Sequence, residues 1–180
     1  MKIIAFTGMP FSGKSEAVNI AKDMDIPIVR MGDMVWDEVN NLGLKLNDKN
    51  VGNIANQMRE KHGQDIWAIK TINKIKSKGK IKSIVIDGIR NVEEIEVFKR
   101  ELGNNFVIIA IEASEEIRQK RALKRGRKDD SKDIKKLKER DQRELGWGLG
   151  RVIASADIVV LNEISIDDFK KHIKEILKRL

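Results

Sequence analysis

The stretch Gly8-Met9-Pro10-Phe11-Ser12-Gly13-Lys14-Ser15 constrains this chain more than any other. Its spacing, G-x-x-x-x-G-K-S, is that of a phosphate-binding P-loop, which needs a strand before it and a helix after it. Both contexts are present. Lys2-Ile3-Ile4-Ala5-Phe6-Thr7 is apolar and β-prone, as a buried parallel strand should be, and residues 16–22 suit the first turns of a helix. Gly8 and Gly13 permit backbone conformations closed to other residues and a close approach to a ligand. The loop N–H groups and the positive end of the helix dipole would surround a β-phosphate. Lys14 would bridge β- and γ-phosphate oxygens, and the Ser15 hydroxyl would take a place on Mg²⁺. The loop therefore predicts binding of a nucleoside triphosphate with Mg²⁺.

The 180 residues fit one domain with a substantial core. Cysteine is absent, which excludes disulfides and thiolate metal sites. No apolar run reaches membrane-spanning length, and the first residues read as a core strand rather than a signal peptide, so the expected location is the cytoplasm, away from membranes. The net charge of +8 would suit a nucleic-acid surface, a phosphate-rich small substrate or a solvated exterior. Aromatic residues are only 4% and the basic residues are spread along the chain, which argues against nucleic acid.

Beyond the P-loop helix, 26–30 reads as a second strand, with Pro27 near its start, and 31–34 as a turn. About fifty residues then precede the next strand, far more than a minimal crossover needs. They are helical in pattern. Helices are expected over 34–41, over 49–61 with Asn47 or Asp48 as cap and Gly63 as stop, and over 65–77 with Ile66, Ile69, Ile72 and Ile75 on one face and Lys78-Gly79 at its end. Such an excursion suggests a substrate-gripping insertion. The third strand, 81–86, ends in Asp87-Gly88-Ile89-Arg90, where ligands bind in open α/β sheets. Asp87 could order a Mg²⁺-bound water or orient an acceptor hydroxyl, and the planar fork of Arg90 could hold a phosphate.

Asn91 is placed to cap a helix over 92–100, with Glu94 completing a capping box and Gly103 ending it. A central fourth strand is expected over 106–111 and a helix over 115–124 behind Ser114. Arg118, Arg121 and Arg125 fall at helical spacing, and Arg127 follows Gly126. The polar run Lys128-Asp129-Asp130-Ser131 joins this segment to a second basic helix over 134–145, which carries Arg140 and Arg143. The pair reads either as a lid over a triphosphate or as a solvated hairpin laced with ion pairs. Residues 146–150 are glycine-dense and could form a hinge, with Trp147 as a possible core anchor. A fifth strand is expected over 158–161, with Asn162 just beyond, and a closing amphipathic helix over 166–180. His62 and His172 have no partner in the sequence.

Four local matches make the plan similar to that of nucleoside monophosphate kinases. Gly32-Asp33-Met34 resembles the Gly-Asp turn that opens the monophosphate-binding helices of adenylate kinases. Asp87-Gly88-Ile89-Arg90 resembles their Asp-Gly-x-Pro-Arg motif, shortened and without the proline. Arg127-Lys128-Asp129-Asp130 with Arg140 resembles the lid Arg-x-Asp-Asp and its downstream arginine. Ala156-Asp157-Ile158-Val159 with Asn162 resembles the last strand and adenine-side loop of dephospho-coenzyme A kinases. The overall match is to an archaeal adenylate-kinase-related P-loop family.

This resemblance implies a P-loop NTPase fold: a three-layer α/β/α domain with a five-stranded parallel sheet, a helical acceptor-binding insertion over 31–80 and a lid over 115–150. It implies an ATP- and Mg²⁺-dependent phosphotransferase acting on a small, nucleotide-like or phosphorylated acceptor. In that reading the whole loop from Gly8 to Ser15, with Arg121, Arg125 and Asn162, would hold ATP. Asp33, Arg59 and Arg90 would form the acceptor side, Ser15 and Asp87 would serve the metal, and Lys14, Asp87, Arg90, Arg127 and Arg140 would carry catalysis. Adenylate kinases carry an arginine shortly after the Gly-Asp turn; here Val35, Trp36 and Asp37 stand there, which disfavours AMP and leaves dephospho-coenzyme A or phosphomevalonate open. The alternative is an NTPase or nucleotide-gated binding protein with no small-molecule acceptor.

Overall fold

The computed structural model describes residues 1–77, 79, 81–103, 105–124 and 134–180. Five parallel strands, β1 (Lys2–Thr7), β2 (Ile28–Arg30), β3 (Ser83–Asp87), β4 (Phe106–Glu112) and β5 (Ile158–Leu161), form one sheet in the order β2-β3-β1-β4-β5. Alternate residues of β1 enter different cores. Ile3 and Ala5 join the larger one, with α2 (Met31–Asn41), α3 (Asp48–His62), α4 (Ile66–Lys76), α5 (Val92–Leu102) and a short α8 (Leu149–Ala154). Ile4 and Phe6 join the other, with α1 (Lys14–Asp23) and α9 (Ile166–Arg179). Burial on both faces explains why these strands read as continuous apolar runs. Two further helices, α6 (Glu115–Lys124) and α7 (Ile134–Gly146), stand beside the P-loop. The fold is the expected three-layer α/β/α sandwich with an all-parallel five-stranded sheet.

Several local expectations need correction. Residues 31–34 are not a turn: Arg30 is the extended N-cap of α2, and Met31 and Met34 are buried on its inner face. On α4, Ile69 is 38% exposed, and the inner face is Trp67, Ala68, Thr71, Ile72 and Ile75. A three-residue repeat falls behind the helical period by about 60° at each step, so four isoleucines so spaced cannot share one face. The glycine-dense stretch is not all loop: α8 begins at Leu149, behind Gly148 as its N-cap, and buries Leu149 and Val152. The α5 cap is half as expected. Asn91 accepts from the Glu94 N–H at 2.8 Å, but the Glu94 carboxylate accepts from the Arg90 N–H rather than from that of Asn91.

Register fixes the site. Phe6 is paired with Asp87, so β3 ends two residues short of Gly8. The chain leaves β1 towards β2 on one side and later returns to β4 on its other side. That reversal opens a crevice at the carboxyl ends of the strands. Thr7, Asp87, Glu112 and Leu161 all end strands at this edge.

Candidate active site

The P-loop follows β1 and closes into α1 at Lys14. A Cβ on Gly8 would stand 2.2 Å from the Ile111 carbonyl oxygen, and one on Gly13 would stand 2.0 Å from Asn162 Nδ2; both residues also have positive φ. A side chain at Gly8 would collide with backbone, and one at Gly13 would have to displace Asn162. Phe11 is left-handed too, with φ 64, a conformation that costs a residue with a side chain about 1–2 kcal/mol.

Three side chains hold the outer carbonyls of the loop. Arg118 Nη1 donates to Pro10 O at 3.1 Å, while Arg121 Nη1 and Asn162 Nδ2 donate to Ser12 O at 3.0 and 2.8 Å. In a trans peptide the N–H points opposite to the C=O. The Phe11 and Gly13 amides therefore face away from these side chains, as an anion cradle requires. Arg121 and Asn162, expected at the nucleotide, are anchored on the loop backbone itself, and Arg121 Nη2 also donates to Asn162 O at 2.8 Å. Lys14 Nζ donates to Gly8 O at 2.7 Å. Burial lowers its pKa to about 8, against the pull of Asp87 and Glu144.

A cavity of 890 Å³ begins at Pro10, Phe11, Gly13, Lys14 and Ser15 and runs under α2 and α3. Arg30, Asp33, Arg59, Asp87, Arg90 and Arg140 all line it, so the structure brings together residues spread over more than a hundred positions of sequence. Asp33 sits in the first turn of α2, where burial pushes its carboxyl up against the pull of Arg30. Asp87 faces Arg30, with Nε 3.9 Å from Oδ2. Val35, Trp36, Leu46, Val51, Ala55 and Trp67 give the far end an apolar wall. Arg59 is 4% exposed; its Nη2 donates to Glu94 at 3.0 Å, while Nε and Nη1 are buried without a partner. Burial drives Arg59 down and Glu94 up, each opposed by the other's charge.

At the junction of the two ends lies Glu144 of α7, which the spacing of the sequence did not reveal. It is 4% exposed, accepts from Arg140 Nε at 3.1 Å and faces Arg90 Nε at 3.4 Å. Burial alone would raise its carboxyl, but Arg90, Arg140 and Lys14 outweigh burial and hold it at about 2. Arg90 Nη1 also donates to Gly88 O. Asp48 takes Arg143 at 2.8 Å and lies 3.8 Å from Arg140, tying α3 to α7. The Arg59 and Arg143 guanidiniums lie 4.5 and 5.7 Å from the Trp147 ring centre, and Trp147 donates Nε1 to Asn56 Oδ1. It is a packed anchor, one of the two roles open from its sequence. The expected lid residues Arg125, Arg127, Asp129 and Asp130 lie outside the described residues. Among the described residues no cluster of three or more His, Asp or Glu side chains is poised to hold a metal.

A profile for the AAA domain matches residues 7–138. A UPF0200 protein of Methanosarcina barkeri is 48% identical over 98% of this chain and 95% of its own. The chain belongs to the UPF0200 family. A UPF0200 protein of Methanocaldococcus jannaschii is 43% identical over 100% of this chain and 91% of its own. In Archaeoglobus fulgidus a UPF0200/UPF0201 protein is 46% identical, and this UPF0200 chain spans 56% of its length. Among solved structures, TT1252 from Thermus thermophilus superposes with TM-score 0.65 at 17% identity, covering 99% of this chain and 97% of that one. A shikimate kinase from Aquifex aeolicus gives 0.53 at 18% identity, covering 98% and 96%. The fold is that of the P-loop kinases.

Proposed function

We propose that this UPF0200 protein is a Mg²⁺-dependent phosphotransferase that moves the γ-phosphoryl group of ATP to a small acceptor. One observation carries the reading: a single cavity joins the phosphate loop to a pocket lined by Asp33, Arg59 and Arg90. Donor and acceptor ends in one enclosure are what in-line transfer requires. The insertion over 31–80 is the acceptor half and 115–150 is the lid. Arg59, whose buried Nε and Nη1 have no hydrogen-bond partner, is suited to an oxygen-bearing group of the acceptor.

The loop amides and Lys14 bind the β- and γ-phosphates, and Arg121 and Asn162 serve them by fixing Ser12. The acceptor oxygen attacks the γ-phosphorus, the bond to the β,γ-bridging oxygen breaks, and ADP leaves. Where the acceptor attacks through a hydroxyl, Asp33 orients it and takes its proton. Arg90 and Arg140, held apart by Glu144, stabilise the charge on the transferred group. Ser15 and Asp87 both line the cavity with Lys14 and would fit Mg²⁺, which takes few protein ligands beside phosphate oxygens. Bound there, the ion would neutralise phosphate charge.

ADP release from Mg-ATP tests the reading, with a panel of nucleoside monophosphates, dephospho-coenzyme A, phosphomevalonate and shikimate. One acceptor should stimulate release at least about a hundredfold, roughly 2.7 kcal/mol of transition-state stabilisation. Slow hydrolysis indifferent to the panel would favour a nucleotide-gated binding protein, a reading that the ion pairs of Asp48 with Arg140 and Arg143 across α3 and α7 would also serve. Lys14→Ala should abolish turnover with the fold intact; turnover near normal would remove the loop as the site. Arg90→Ala should raise the acceptor KM or lower kcat while ATP affinity holds. Selective loss of ATP binding would move Arg90 to the donor side.

A further inference from the structure

Phe11 stands at the fourth position of the P-loop with a left-handed backbone. Its ring packs with Ala122 of α6 and Leu137 of α7, and the three form a small core separate from the two that flank the sheet. The Arg140 guanidinium lies 5.7 Å from the ring centre. The neighbouring loop carbonyls are tied to the same pair of helices. Arg118 bridges Pro10 O at 3.1 Å and Asp141 of α7 at 2.7 Å, and Arg121 holds Ser12 O.

The α7 residues in these contacts are Leu137, Arg140 and Asp141. Spacings of three, four and seven place them, with Glu144, along one stripe of the helix. One end of the stripe touches the loop through Phe11 and Arg118. The other end faces Arg90 through Glu144. A shift of the loop is thus a shift of the helix that carries Arg140 and Glu144 into the cavity. Glycine would take the same backbone angle without strain, but it would bring no ring to α7.

We propose that Phe11 is a positioning residue that couples occupancy of the phosphate loop to the placement of α7 over the acceptor end. The coupling rests on the nucleotide reading of the loop.

Hydrogen exchange across 134–146 tests it, with and without saturating Mg²⁺ and a non-hydrolysable ATP analogue whose binding is followed separately by calorimetry. In the wild type the analogue should slow exchange across α7 by about tenfold or more. Leu137→Ala removes the contact from the α7 side and should leave the analogue bound while the slowing falls below about twofold. Phe11→Gly should lose the slowing likewise at saturating analogue, and Leu137→Met should restore it. Equal slowing in Leu137→Ala and wild type would overturn the coupling, as would a wild type that binds the analogue with no change in α7. If Phe11→Gly does not fold, Leu137→Ala and Leu137→Met still decide the matter. Absence of any binding to the wild type by calorimetry would remove the nucleotide reading and the coupling with it, a result distinct from binding without response.

Discussion

Arg59 carries a charge that is nine-tenths hidden from water, with Glu94 as its ion-pair partner and the Trp147 ring against its face. Removing one member of such a pair leaves the other charge stranded in a low-dielectric interior. Arg59→Ala should therefore lower stability by about 3–5 kcal/mol. Arg59→Met combined with Glu94→Leu should cost clearly less than Arg59→Ala alone. Urea unfolding of the three proteins checks both statements. Gly13→Ala tests the other kind of constraint, because its Cβ would meet the Asn162 carboxamide at 2.0 Å. It should displace Asn162 from Ser12 and weaken nucleotide binding more than it lowers the melting temperature, as calorimetry with Mg-ADP would show. Lys14, Ser15 and Asp87 were legible in the sequence, since a fixed motif and a strand end announce them. Glu144 was not. It lies four residues after Arg140, a spacing shared by countless solvent-facing pairs, and only the packing of α7 against the loop buries it.

At the scale of the element, α7 shows what burial does to one carboxylate. The Glu144 pKa lies at about 2, below its ordinary 4.5, because the surrounding cations outweigh desolvation. Between these values the unfolded chain binds more protons than the folded one. The stability that Glu144 contributes is thus complete above pH 4.5 and lost as the pH falls towards 2. The melting-temperature gap between the wild type and Glu144→Gln should be constant from neutrality to about pH 5 and close below pH 4.5. A gap that widens on acidification would mean that the carboxylate is not held by Arg90 and Arg140. The helices themselves were read well where caps speak: Asn47 accepts from the Asn50 N–H and Asn91 from that of Glu94, at the starts of α3 and α5. Spacing alone served α9, whose Phe169, Ile173 and Leu177 are buried, but it misled elsewhere. The isoleucines of α4 drift around the helix, and α8 is too short for a period to show among its glycines.

For the whole molecule, the strand–loop–helix beginning and the apolar strands were enough to give an all-parallel sheet. The strand order was not legible, because it depends on which faces the helices cover. No described helix is long and apolar enough to cross a membrane. The residues assigned to ligands gather at the carboxyl ends of the strands. The two ends of the chain lie elsewhere. Residue 1 enters β1 at its opposite end. Lys170, near the start of α9, pairs with Glu16, near the start of α1, at 3.1 Å, so the two helices run alongside each other away from the loop and carry Leu180 to the far pole. Any polypeptide joined at either end would hang below the sheet like ballast. A fluorescent protein fused before Met1 or after Leu180 should leave nucleotide affinity unchanged, and relatives of this fold can carry added length without crowding the mouth of the cavity.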